Sequence, residues 1–138
     1  VPTIISYQKH IDALITRELR LPDGENHQRL GQEIATVDGT TYVSLPDGAT
    51  LPADQPAEIE ASIQTVTLSD ALREAIKAAS PQVRVINAMV AEKIAAQYSL
   101  ADEIKLLRTA PSAEFEQYSA HAEACRAWGR EQKAALGL

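Results

Sequence analysis

The sequence has few of the residues on which small-molecule chemistry usually depends. It contains one cysteine and three histidines, so it cannot form an internal disulfide and does not suggest a clustered zinc site. Aromatic residues make up 4% of the chain, which predicts a core built mainly from Ala, Leu, Ile and Val. Catalysis by a cofactor or a metal is therefore not indicated.

Several sequence signatures are also missing. No apolar run approaches the roughly 18 to 20 residues of a membrane-spanning helix, and the first residues lack the features of a secretory signal peptide. The motifs GxGxxG, GxxxxGK[ST] and GxSxG are absent; they are typical of dinucleotide-binding proteins, P-loop NTPases and α/β-hydrolases. We therefore expect a protein of the cytoplasm that is not an enzyme and has no membrane contact.

The charge balance is acidic. Nineteen acidic and thirteen basic residues give a formal net charge of -6, which repels phosphate backbones at long range and argues against a nucleic-acid partner. The length of 138 residues and the 45% hydrophobic content are those of one globular domain.

The first segment with a clear pattern is residues 6–20. Ile11, Leu14, Ile15 and Leu19 recur at helical spacing, which predicts an amphipathic helix with these residues buried. Pro22 and the following Asp-Gly pair then end it.

Residues 34–43 have the pattern of a β-hairpin. Two runs rich in β-branched residues flank Asp38 and Gly39, the pair that best supplies the positive φ angles of a type I′ turn. This turn predicts cross-strand pairs of Ile34 with Val43 and of Ala35 with Tyr42.

Residues 45–56 contain three prolines and are predicted to form an irregular Pro-rich arm. Residues 59–66 predict a third short strand with Ile63 and Val66 buried. A two-stranded ribbon is barely stable alone, so a further element or another chain must cover it.

The second half predicts helices. Helix starts are indicated by Thr67 or Ser69, by Ser80 followed by Pro81, by a capping box at Ser99 and Asp102, and by Ser112 before a long last helix ending at Gly137. The prediction is an α+β fold with an N-terminal helix, the hairpin, the arm and a C-terminal bundle of three or four helices. Residues 1–66 and 67–138 are expected to form one cooperative domain.

Cys125 and His121 lie one turn apart on the predicted last helix. They could form a nucleophile and its base, or half of a metal site. However, catalytic pairs normally lie on separate elements with a third orienting group, and zinc takes three or four ligands. We expect neither a catalytic nor a metal role.

The last helix carries a seam of apolar and small residues. The residues that follow steps of three and four are Phe115, Tyr118, Ala122, Cys125, Gly129, Gln132 and Leu136. This spacing suits either an internal core face or a partner interface. Arg126, Arg130 and Lys133 form a basic stripe that either is solvated or contacts an acidic partner. The candidate partner-binding residues are Tyr42, Phe115, Tyr118, Trp128, Arg126 and Arg130.

Three stretches together carry a family resemblance: residues 35–48 (ATVDGTTYVSLPDG), 106–115 (LLRTAPSAEF) and 123–138 (EACRAWGREQKAALGL). They resemble small proteins from the tail-gene region of transposable, Mu-like tailed phages and related prophages. The stretches are not mechanistic motifs, so no residue role is transferred from the family.

The resemblance implies a virion protein of the phage tail that binds the tail fibre or tail tip after synthesis in the host cytoplasm. A tail-fibre assembly chaperone that is not retained in the virion is the alternative. A small regulator binding a host protein is a third. A homo-oligomer is possible in each case, and exposed strand edges are expected to add to a neighbouring sheet.

Overall fold

The computed structural model describes residues 1–138 apart from the side chain of His27. The strands are β1 (Thr3–Tyr7), β2 (Gln32–Val37), β3 (Thr40–Leu45) and β4 (Gln64–Val66). The helices are α1 (Ala57–Glu60), α2 (Asp70–Ala79), α3 (Pro81–Ala95), α4 (Leu100–Arg108) and α5 (Ala113–Ala134), with a 3₁₀ turn at Glu25–His27. An antiparallel sheet is therefore followed by helices, which confirms the α+β class.

The N-terminal segment is a strand, and the helix predicted over residues 6–20 is wrong. β1 pairs with β3 on one side and with β4 on the other. Thr3, Ile4 and Ile5 are β-branched, which suits a pleated strand. The strand includes Ser6 and Tyr7, and the residues that carry the helical spacing lie after it, where His10 and Thr16 form a bridge in place of a helix. Tertiary context therefore overrides the local helical spacing.

The predicted hairpin is confirmed. Asp38 and Gly39 both have positive φ, 49° and 79°, as a type I′ turn requires, and Ala35 pairs with Tyr42. The predicted pairing of Ile34 with Val43 is wrong, because Glu33 takes that position and Ile34 lies in a β-bulge. The bulge inserts one residue into β2, and the sequence pattern does not reveal it.

The sheet has the strand order β2-β3-β1-β4 and buries side chains on both faces. Alternate residues of a strand point to opposite faces, and successive residues of β1 and β3 are buried alike. One face holds the main apolar cluster, which consists of Ile5, Tyr7, Leu19, Val43, Leu45 and Ile59. α2 packs against β2, with Ile76 fully buried.

Residues 46–56 are irregular, as predicted, and they fold onto the sheet. Ala49 and Leu51 pack against the main apolar cluster. The side chain of Gln55 accepts from the N–H of Arg20 at 2.9 Å and donates to its carbonyl at 3.0 Å. The third strand is shorter than predicted: β4 spans three residues, and Ile59 lies in α1.

The predicted helix starts are confirmed at three serines. Ser69 accepts from the N–H of Leu72, Ser99 forms a reciprocal capping box with Asp102, and Ser112 accepts from the N–H of Phe115. The last helix ends at Ala134, three residues before the predicted Gly137.

The chain divides into two compact units. The first consists of residues 1–82 and 135–138 and contains the sheet, α1 and α2. The second consists of residues 83–134 and contains most of α3 and all of α4 and α5. That residues 1–66 and 67–138 form one cooperative domain is a statement about unfolding, and it stays a prediction.

Candidate functional site

A tight loop at residues 10–16, called here the apolar loop, follows β1. His10 and Thr16 form an isolated antiparallel bridge at its base. The N–H of Arg17 donates to the carbonyl of Lys9 at 3.0 Å. The two ends of the loop are therefore held together by backbone hydrogen bonds.

The tip of the apolar loop presents hydrophobic side chains to solvent. Leu14 is 94% exposed, and Ile11 and Ile15 are each 39% exposed. One carboxylate oxygen of Asp12 accepts from the N–H of Leu14 at 2.8 Å and from that of Ile15 at 2.9 Å. This Asx turn fixes the backbone, so the apolar side chains are displayed on an ordered turn.

Sequence reasoning assigned these three residues to a buried helical face and missed the loop. Leu19, the fourth residue of that pattern, is buried in the main apolar cluster. The signal for a turn was Asp12, whose short side chain competes with helical backbone hydrogen bonds.

The net negative charge of the chain lies in the first unit. Its twelve acidic and six basic residues give a formal charge of -6, whereas the second unit has seven of each. The long-range field around the first unit therefore favours a basic partner surface.

The edges of the sheet are poorly suited to the expected strand addition. At the β2 edge, the Gln82 side chain donates to the carbonyl of Glu33 at 2.7 Å, and Ile34 forms the bulge. At the other edge, β4 has only three residues. Bulges, capped groups and short edges all disfavour pairing with another chain.

Four ring side chains of the second unit pack together. Tyr98 contacts Tyr118 edge to face, with ring centroids 5.0 Å apart, and lies 5.7 Å from His121. Phe115 lies 6.2 Å from Tyr118. Of the predicted partner-binding residues, Phe115 is half-buried and Tyr118 is buried, so Tyr118 serves mainly this cluster.

The hydroxyl of Tyr118 donates to a carboxylate oxygen of Glu103 at 2.9 Å. This hydrogen bond raises the pKa of Tyr118 above its ordinary value of 10.0, and burial of the ring adds to the effect. Ionisation would place two negative groups side by side, which explains the direction.

The sulfur of Cys125 lies 3.6 Å from Nε2 of His121, and the same nitrogen lies 3.2 Å from the carbonyl oxygen of Lys93. A carbonyl is only an acceptor, so the contact favours a proton on Nε2. A nitrogen that already carries a proton cannot remove one from the thiol. With that proton in place, His121 links α5 to the Lys93 carbonyl of α3 and contacts Cys125 one turn along the same helix.

Trp128 is half-buried, and the ammonium of Lys93 lies 4.5 Å from its ring centroid, a cation–π contact. Arg130 pairs with Glu123, and Arg126 is exposed. These predicted partner-binding residues thus lie along α5, partly engaged with their neighbours.

The small residues of the predicted seam serve packing inside the second unit. Ala122, Cys125 and Gly129 are buried. A Cβ atom on Gly129 would lie 2.6 Å from Cγ2 of Val90. The glycine therefore allows α3 and α5 to approach closely.

Tyr42, the remaining predicted partner-binding residue, lies buried in β3. The predicted residues are accordingly divided between the units, with Tyr42 in the first and the other five in the second.

Among the side chains that the structure describes, no group of three or more His, Cys, Asp or Glu is placed to hold a metal ion. No described helix has the length and apolarity needed to cross a membrane.

Comparisons with protein-family models, curated proteins and solved structures found no match. The expected resemblance to tail-region proteins therefore stays a prediction from the three sequence stretches.

Proposed function

We propose that the chain is a structural protein of a phage tail that binds the tail fibre or tail tip through protein–protein contacts. The resemblance of residues 35–48, 106–115 and 123–138 supports the phage assignment. The observation that carries the contact role is the apolar loop, an ordered turn with Leu14 94% exposed at its tip.

An ordered apolar tip is favourable for docking. Burial of Leu14 and its neighbours against a partner stabilises the complex by about 25 cal/mol per Å² of apolar surface buried. The Asp12 turn already holds the backbone, so less conformational entropy is lost on binding than for a flexible loop.

The charge of the first unit supports a basic partner surface. With a formal charge of -6, this unit is attracted to a basic surface, which speeds association and disfavours acidic partners. We infer a tail-protein surface with an apolar pocket for Leu14 and basic residues around it. Trp128 and Arg126 of α5 remain candidates for a second contact.

The binding test is co-expression of the tagged chain with the neighbouring tail genes, followed by purification. Tail-fibre or tail-tip proteins should co-purify with the natural chain, and Leu14→Asp should reduce their recovery at least about tenfold, as expected for a central contact residue. Val85→Asp is the matched control, because Val85 is another exposed aliphatic residue, and it should retain the partner. Equal loss in both variants, or recovery of no tail protein, contradicts the proposal.

Mass spectrometry of purified virions separates the structural protein from a chaperone. A structural protein is present at fixed stoichiometry with the tail proteins. Its absence from virions, together with co-purification from infected cells, would identify an assembly chaperone instead. Recovery of a host protein alone from phage-free lysate would identify a host-directed regulator.

A further inference from the structure

The outer face of α4 carries three exposed aliphatic side chains. Leu100 is 72% exposed, Ile104 46% and Leu107 61%. They lie at positions i, i+4 and i+7, which form one stripe on a helix. On the side of α4 that meets α5, Glu103 accepts from Tyr118 and Leu106 is half-buried.

This stripe has the pattern of a parallel two-stranded coiled coil. With Leu100 and Leu107 at d positions, Ile104 takes the a position between them. β-branched residues at a and leucine at d favour two parallel strands. In the same phase Glu103 takes the g position and Arg108 the e position.

The charges beside the stripe are complementary only in a parallel pair. There, the g residue of one helix faces the e residue of the other five positions later, which places Glu103 against Arg108 of the second copy. An antiparallel pair centred on Ile104 brings Glu103 towards its own equivalent. One carboxylate oxygen of Glu103 binds Tyr118, and no ion pair among the described side chains involves Arg108.

We propose that α4 pairs in parallel with α4 of a second copy of this chain. The occupant of the stripe is thus the chain itself, with Ile104 at the centre and two Glu103–Arg108 ion pairs at the sides. This inference goes beyond the proposed function and does not depend on it.

The pair is weak on its own, because α4 has nine residues and two such helices bury far less than the roughly 1,200–2,000 Å² of a stable interface. It strengthens where copies are held close together, since a high local concentration makes the second contact effectively intramolecular. Self-association should therefore depend strongly on protein concentration.

Sedimentation velocity over a concentration series tests the stripe. The natural chain should shift from monomer to dimer as concentration rises, and Ile104→Asp should weaken association at least about tenfold. Met89→Asp is the control, since Met89 on α3 is exposed to a similar degree, and it should associate like the natural chain. Circular dichroism verifies that each variant is folded. A natural chain that remains monomeric, or equal weakening by both variants, overturns the proposal.

Charge reversal tests the orientation. Arg108→Glu alone and Glu103→Arg alone should each weaken association, and the double variant should restore it. Tyr118→Phe removes the hydrogen bond to Glu103 without changing the charge, so it controls for that loss. A double variant as weak as the single ones contradicts the parallel arrangement.

Cross-linking gives an independent test of orientation. In a parallel pair identical d positions face each other, so Leu107→Cys should form a disulfide-linked dimer when a disulfide reagent is added. The natural chain, whose one cysteine Cys125 is buried, is the control and should not cross-link. Failure of Leu107→Cys to cross-link while the chain still dimerises would exclude parallel pairing through α4. None of these experiments involves a tail protein, so their outcome is separate from that of tail binding.

Discussion

Gly31 lies immediately before β2, with a backbone φ of 98°. A Cβ atom at this position would lie 2.7 Å from the carbonyl oxygen of Ser44 and 2.8 Å from a methyl carbon of Leu45. Both the backbone angle and the close approach of β3 therefore require glycine. Gly31 therefore fixes the point at which the edge strand β2 begins to run beside β3.

We predict that Gly31→Ala lowers the free energy of unfolding by about 2 kcal/mol or more, from the strain at positive φ and from the overlap with β3. Gly48→Ala is the matched control. Gly48 also has positive φ, 80°, but nothing lies within 4 Å of its Cβ position, so about 1 kcal/mol is expected from strain alone. Denaturant unfolding measures both losses. Equal losses would show that the contact with β3 contributes nothing.

Tyr118 gives the chain a dependence on alkaline pH. Below its ordinary pKa of 10.0 the hydroxyl is protonated in the folded and the unfolded chain alike. The hydrogen bond to Glu103 and burial raise the folded pKa. As pH rises above 10, the unfolded chain loses this proton first, so stability decreases until the folded pKa is passed.

We predict that Tyr118→Phe removes part of this alkaline loss. The free energy of unfolding, measured from neutral pH to above pH 10, should fall less steeply for the variant than for the natural chain. Neutral pH is the internal control, because the hydroxyl is protonated in both states there. Parallel curves across the whole range would contradict the role of the Glu103 hydrogen bond.

At the scale of elements, α4 depends on its first turn. The Ser99 hydroxyl accepts from the N–H of Asp102 at 3.1 Å, and the Asp102 carboxylate accepts from the N–H of Ser99 at 3.1 Å. A helix of two and a half turns forms few internal hydrogen bonds, so satisfying these end groups matters more than in a long helix.

We predict that Ser99→Ala lowers stability by about 1 kcal/mol. Ser119→Ala is the control, because Ser119 is exposed within α5, where alanine is at least as favourable as serine. Thermal or denaturant unfolding of the two variants gives the comparison. If both variants match the natural chain, the cap contributes nothing to stability.

Elements with local signals were predictable from the sequence. The Asp38–Gly39 turn and the serine caps depend on chemistry within a few residues, and the structure has them where predicted. β1 and the bulge at Ile34 were not predictable in this way. β1 is fixed by pairing with β3 and β4, strands that lie about forty and sixty residues further along the chain, and no local pattern contains that information.

The candidate sites follow the same division. The spacing of Phe115 and Tyr118 suited either an internal core face or a partner interface, and in the structure both rings pack in one cluster with Tyr98. The apolar loop was misassigned because the spacing of Ile11, Leu14 and Ile15 is equally compatible with a helix. Whether this segment becomes a loop or a helix depends on where β1 ends, and the end of β1 is a property of the sheet.

At the scale of the whole molecule, both ends of the chain lie in the first unit. Residues 135–138 follow α5 and belong with residues 1–82. Leu136 is buried, and the Cα of Gly137 lies so close to Ile4 that an added Cβ would be 2.8 Å from its terminal methyl. The second unit is therefore a continuous segment, residues 83–134. The chain passes from the first unit into the second once and returns once.

This connection makes the end of the chain a test of cooperativity. We predict that Leu136→Ala lowers stability by about 2–4 kcal/mol, the usual cost of truncating a buried leucine. If the molecule unfolds as one domain, circular dichroism of the whole chain and fluorescence of Trp128 in the second unit should report the same shifted transition.

Leu138→Ala is the control for the chain end, because Leu138 is only half-buried and its truncation should cost less. A shift in circular dichroism without a shift in Trp128 fluorescence would show that the two units unfold separately. In that case residues 135–138 stabilise the first unit alone. A coincident shift means that the stability lost at Leu136 also lowers the unfolding transition reported by Trp128 fluorescence. That follows only if the two units share one folding transition.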